Sequence, residues 1–404
     1  MMRKFWLITL VIILFGCKQQ SEKEEVSIMN KVTIPSIDLD VDEISQVVVD
    51  REEGQYLGHI STILLEDSKT ILASYPKGHG RGPAILKRSE DGGKTWSDRL
   101  PVPESWATSR ETPTLMRTVD AQGVKRIVMW SGLYPIRTSI SEDDGYTWTE
   151  LKPVGDWGGI TVMGSTTPLN TGAGHYMAIF HDDGRFIKGG EDEFWGSPAG
   201  ERTGFMTVFT TKSTDGGLTW SDPAPIYRDS TVLLCEPGII RSPDGKQIAV
   251  LLRENKRVKN SFIIFSDDEG KTWSAPRELP LSLTGDRHTG KYTPDGRLFI
   301  SFRVISPEHK RSDRPFETSW GGWVGTYDDL VNGTEGQYVV RLKKNYPSES
   351  GWEYDTAYPG VEVLPDGTIV TTTYGHWEVG KKPYIVSVRF TLNQLEELAR
   401  TQNN

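Results

Sequence analysis

Ionisable and aromatic residues recur at matching places in six short phrases of this 404-residue chain. Each phrase is an apolar run, a turn often written Pro-Asp-Gly, and a second apolar run. The first runs begin near His59, Glu111, Thr166, Glu236, His288 and Tyr358. The second runs end on Tyr75, Trp130, His181, Arg253, Arg303 and Tyr374. Strand ends inside a fold ordinarily carry neutral aliphatics, so a set rich in proton carriers, one anion binder after another and several aromatic rings is what a polar ligand site requires. Plainer roles stand beside this reading. A strand-start histidine can cap a turn, Arg253 can pair internally with Glu236, Trp130 and Tyr374 can belong to the core, and Glu111 can be an acid or the ion-pair partner of Arg110.

The elements that must position these groups are strands. Short apolar or alternating runs bounded by Asp-Gly turns fill the chain, and a helical pattern emerges only at Leu392 to Arg400. A second repeat runs through the same segment. Four octets, starting at Ser89, Ser141, Ser213 and Ser266, read S-x-D-x-G-x-T-W at spacings of about 50 to 70 residues. Each follows an apolar run such as Phe262 to Phe265 and is expected to be a hairpin turn. The Asp accepts backbone N–H groups, the Gly supplies positive φ, and the Trp packs on the adjoining sheet. Tyr327 to Leu330 reads as a degraded fifth copy.

The octets resemble the Asp-box (BNR) repeat, and with the six phrases the chain resembles the sialidase superfamily over roughly residues 50–390. The fold this implies is all-β, a six-bladed β-propeller with sialidase-like Asp-box repeats. In such a ring the innermost strands line one channel, so the residues at their starts face each other across a single cavity. Glu236-Pro237 and Arg253 match the family's blade-four pattern, and Tyr358-Pro-Gly-Val followed by Asp366-Gly367 matches blade six. The resemblance implies that Tyr358 is a nucleophile polarised by Glu236 and that Arg253 binds a substrate carboxylate. A neutral phenol suits that task because it does not repel an anion. Two departures stand out. His59-Ile-Ser occupies the place of the family's first-blade arginine motif, and Lys77 to Pro83 offers histidine and arginine where the general-acid Asp is expected. Arg303 or Arg314 is left as the third arginine, and His59, His79 or His288 as the acid.

Composition and charge bound the rest. A formal net charge of −9 argues against nucleic acid or an anionic membrane surface as a general partner. Arg3 and Lys4, the apolar stretch Phe5 to Phe15 and Leu14-Phe-Gly-Cys17 resemble a bacterial lipoprotein signal, with Cys17 lipidated. The expected organisation is a signal over 1–17, a flexible tether over 18–48, the propeller over 49–392 and a tail over 393–404. The cell envelope, by lipid anchorage to the outer membrane of a bacterium, is the expected location, and the protein is expected to be a monomer. Cys235 is the only other cysteine, expected to be buried, so no internal disulfide is available. No metal-ligand spacing occurs, and no cofactor is expected.

These residues point first to β-elimination on the terminal uronic acid of an acidic oligosaccharide, as a lyase or dehydratase. Arg253 would neutralise the carboxylate, while Tyr358, His59 or His288 exchanged protons, with Arg303, His181, Trp130 and Tyr374 contacting sugar. The alternative is a retaining, sialidase-like exo-glycosidase, and the third reading is a non-catalytic glycan-binding lipoprotein.

Overall fold

A computed structural model describes residues 31–41, 46–188, 195–196, 205–307 and 314–402. The expectations for the signal and Cys17 lie outside those residues. Among the described residues, no helix is long and apolar enough to cross a membrane.

Six antiparallel sheets form the blades of a β-propeller. Blade one holds three strands, Ser61–Leu64, Ile71–Pro76 and Ala84–Ser89. The next five begin with the innermost strands Thr114–Val119, Ile160–Pro168, Leu234–Arg241, Gly285–Tyr292 and Gly360–Val363. Their second strands are buried along most of their length because both faces pack on neighbouring blades: Ile369–Gly375 is buried at every position, as is Leu298–Val304.

The ring closes with a strand whose first three residues, 46–48, belong to the stretch expected to be tether. Gln46–Asp50 is the outer strand of blade six, antiparallel to Tyr384–Phe390, so one sheet joins the two ends of the propeller. Ser36–Asp38 adds a fifth, parallel strand to blade five. Ile37 and Leu39 are buried in the same cluster as Leu392 and Leu395 of the helix Leu392–Gln402, so the C-terminal segment is part of the packed body as well.

All four octets fold alike. In the first, Gly93 donates its N–H to Ser89 Oγ at 2.8 Å, and Asp91 receives the Thr95 N–H at 2.9 Å and the Thr95 hydroxyl at 2.6 Å. The third octet's Trp220 meets Trp130 of blade two at 4.9 Å, tying neighbouring blades together. Tyr327 to Leu330 is not a fifth copy: Tyr327–Asn332 is a short helix whose N-cap Thr326 forms a reciprocal capping box with Asp329.

Candidate active site

Three consecutive blades begin their inner strands with the same backbone device. Glu236, Arg287 and Ala357 adopt left-handed φ values of 51°, 56° and 54°. The first two sit in bulges, where pairing shifts between Cys235 and Gly238 and between Asp286 and Thr289. A non-glycine residue in this region is strained, and such bulges re-aim side chains. The result is a cluster at the channel mouth.

At its centre Tyr358 Oη donates to Glu236 Oε1 at 2.5 Å, and Arg253 Nη1 reaches the same oxygen at 2.5 Å. Burial, the largest single effect, would push the Glu236 carboxyl up, yet the Arg253 charge, the Tyr358 hydrogen bond and the Arg303 charge together hold it below the ordinary carboxylate range. Burial, then the Glu236 charge, push the Tyr358 phenol far up. The pair is therefore a neutral phenol on an ionised carboxylate. The ring of Tyr358 stacks on His59 at 4.0 Å, and the guanidiniums of Arg303 and Arg287 lie 5.3 and 5.9 Å from its centroid. Arg287 Nη1 is buried without a hydrogen-bond partner among the described residues.

A carboxylate at 0% exposure orders the arginines. Asp286 accepts from Arg257 at 2.8 and 2.5 Å and from Arg303 at 3.2 Å, and forms an ion pair with Arg253 at 3.4 Å. Tyr374 is a second hub. Its hydroxyl lies 3.1 Å from His59 Nε2, accepts from Arg303 Nη2 at 3.2 Å and donates to Asp355 Oδ1 at 3.3 Å.

Several expected site residues are placed differently. His59 stands beside Tyr358, but its Nδ1 faces Thr112 Oγ1 at 3.0 Å and its Nε2 faces Tyr374, so both nitrogens are committed. Burial, then the charges of His79 and Arg303, push its pKa well down and keep it neutral. His288 stacks on Phe302 at 5.1 Å and binds the Leu283 carbonyl at 2.9 Å; burial lowers it to about 4. It is a core residue, and its neighbour Arg287 takes the channel position because the bulge changes which side chain faces inward. His181 is also buried, with a pKa lowered to about 4 by burial, and its Nδ1 accepts the Glu236 N–H at 3.3 Å, so it braces the strained backbone. Trp130 is fully buried, its indole donating to Met116 Sδ at 2.9 Å, and Tyr374 is fully buried; neither is a surface for stacking sugar. Arg253 and Arg303 do stand at the site, each tied to internal partners. Arg314 instead braces the Thr284 carbonyl and Ser306.

Asp182, beside His181, is a further buried acid. Its Oδ2 accepts the N–H groups of Gly184, Phe186 and Ile187, its Oδ1 has no partner among the described residues, and burial raises its pKa to about 6. A raised carboxyl favours the folded state while protonated, so this contribution is present below about pH 4 and is lost as pH rises to about 6. Asp182→Asn is expected to stabilise the protein at pH 7 by about 1–3 kcal/mol and to flatten stability between about pH 4 and 6. Urea unfolding across that range checks it; an unchanged slope would refute the assignment.

Residues 126–314 match the family model of the BNR repeat-like domain. A sialidase of Clostridium perfringens is 30% identical over 158 residues, covering 35% of this chain and 39% of that protein. A sialidase of Paraclostridium sordellii is 28% identical over 213 residues, covering 48% and 50%. The chain thus spans half or less of the length of these relatives. An α-L-arabinofuranosidase from Fusarium graminearum superimposes with a TM-score of 0.60 at 15% identity, covering 87% of this chain and 99% of that one, a likeness of fold.

Proposed function

We propose that this chain, a sialidase-like β-propeller with a BNR repeat-like domain, is a carbohydrate-active enzyme whose reacting group is the Tyr358 phenol. The observation that carries the reading is the buried bond from Tyr358 Oη to the ionised Glu236, shared with Arg253. Glu236 is placed to take the phenolic proton as Tyr358 attacks. Arg253, Arg287 and Arg303 are fixed cations around the oxygen and ring where negative charge develops, and preorganised charge of this kind needs no rearrangement during reaction.

The substrate is the terminal acidic sugar of an oligosaccharide. A neutral phenol lets a carboxylated ring approach, and the buried guanidinium of Arg287, 5.9 Å from the Tyr358 ring, supplies positive charge that favours an anion there. The reaction we favour is retaining hydrolysis. Tyr358 oxygen bonds to the anomeric carbon while the glycosidic oxygen departs, and water then displaces Tyr358. Hydrolysis moves ahead of elimination because two histidines expected to exchange protons, His59 and His288, are buried and held neutral.

Elimination from a uronic acid stays as a second reading on one observation: the loop of residues 77–83 contributes His79 rather than a carboxylic acid. In that reaction Tyr358 passes its own proton to Glu236 as its oxygen takes the C5 proton, and a sugar or water leaves C4 with the electron pair of the C–O bond.

Incubation with sialylated and uronic-acid oligosaccharides separates these chemistries. Cleavage with gain of one water and no new ultraviolet absorbance is the expected result. An absorbing C4–C5 double bond would establish elimination. Retention of oligosaccharide without any turnover by the folded protein would overturn the enzyme reading in favour of a binding protein. The Leu14-Phe-Gly-Cys17 signal would anchor the enzyme by lipid at the cell envelope; palmitate labelling that persists in Cys17→Ala would refute this.

A further inference from the structure

We propose that His79 donates the proton to the departing oxygen at the Tyr358 site and that Asp355 positions it. This rests on Tyr358 being the reacting group. The His79 side chain is 60% exposed, whereas His59, His181, His288 and His376 are all buried. Its ring lies 4.7 Å from that of His59, which stacks directly on Tyr358, so the imidazole stands one ring away from the reacting phenol at the solvent side.

The hydrogen bonds assign the two nitrogens different tasks. Nδ1 lies 2.6 Å from Tyr56 Oη and 3.2 Å from Asp355 Oδ1, and Tyr56 itself donates to Asp355 at 2.8 Å. With the Tyr56 proton given to Asp355, the Nδ1 proton is the one held between them. Nε2 has no partner among the described residues and is the end that gives and regains a proton. Burial alone would raise the Asp355 carboxyl, but hydrogen bonds from His376, His79 and Tyr56 hold it far below the usual carboxylate range, so it is an anion. The aromatic groups facing His79 are Tyr56, His59 and Tyr374. A carboxylate that orients an imidazole while the opposite nitrogen exchanges the proton is a workable acid–base pair.

The backbone is built to hold this arrangement. Asp355 lies three residues before Tyr358, so one lead-in to blade six carries both. Gly78, Gly80 and Gly82 all have positive φ around His79, and a Cβ on Gly80 would come within 2.9 Å of His59 Nδ1. The loop can lie this close to His59 because residue 80 has no side chain.

In hydrolysis the electron pair of the breaking C–O bond stays on the departing oxygen, which takes the Nε2 proton. The Tyr358 proton goes to Glu236. Neutral His79 then accepts a proton from the water that displaces Tyr358, and Glu236 returns its proton to the released phenol oxygen. In elimination the same donation protonates the group leaving C4.

Methyl and 4-nitrophenyl glycosides of N-acetylneuraminic and glucuronic acids are the probes, because 4-nitrophenolate departs without a proton and methoxide does not. His79→Gln should slow the methyl glycoside about 10²–10⁴-fold and the 4-nitrophenyl glycoside less than about 10-fold, with an unchanged Tm. Asp355→Asn should show a smaller split in the same direction. Equal loss on both probes in His79→Gln would overturn the proposal alone. Wild-type turnover by Tyr358→Phe would remove the reading beneath it.

Discussion

Tyr358→Phe is expected to lower turnover by about 10⁴-fold or more while leaving the melting temperature close to wild type. The substitution removes one oxygen. Glu236 keeps Arg253 at 2.5 Å, so no buried charge is stranded, and the ring keeps its stack on His59 at 4.0 Å. Binding should be nearly preserved, because the arginines remain. The loss should therefore appear in kcat rather than KM, as expected when an interaction exists only in the transition state. Glu236→Gln is a graded companion. It keeps a hydrogen-bond acceptor for the phenol but removes the base, with an expected loss of about 10²–10⁴-fold. Steady-state kinetics of both variants on one acidic glycoside check this. Wild-type kcat/KM in Tyr358→Phe would exclude Tyr358 as the reacting group.

The second large effect concerns stability. Asp286→Asn should destabilise the fold at pH 7 by about 3–5 kcal/mol, because three guanidiniums lose the buried anion that compensates them. Burial alone would raise the Asp286 carboxyl, but the charges of Arg253 and Arg257 hold it well below the ordinary range. A depressed folded-state pKa gives stability that is complete above the unfolded value, about 3.9, and is lost as pH falls toward the folded one. The gap between wild type and variant should therefore be widest near neutrality and narrow below about pH 4. Adding Arg257→Met should recover part of the loss, since it removes one stranded charge. Denaturant unfolding at pH 7 and pH 3 decides the matter, and a gap that does not depend on pH would refute the role given to Asp286.

The sequence by itself determined the ring and singled out Tyr358 and Glu236 as its candidate centre. Octets and strand phrases are local, since each hairpin turn writes its own residues, and six repeats were therefore countable without a structure. Tyr358 and Glu236 were legible because each opens an innermost strand, and the starts of those strands meet across a channel. Tertiary structure decided the finer placement. The parity of a strand is lost at a bulge, so Arg287 rather than its neighbour His288 reaches Tyr358, and no residue pattern announced that shift. Second strands are buried on both faces by neighbouring blades, which is why Trp130 and Tyr374 are interior groups and not sugar platforms. Gln46-Val47-Val48 ends the stretch expected to be tether, yet it begins the strand that closes the ring, because blade six lacks an outer edge until the N-terminal segment supplies it. Tyr56 meets Asp355 for the same reason: closure brings residues 299 positions apart to one mouth, a distance over which the sequence carries no signal.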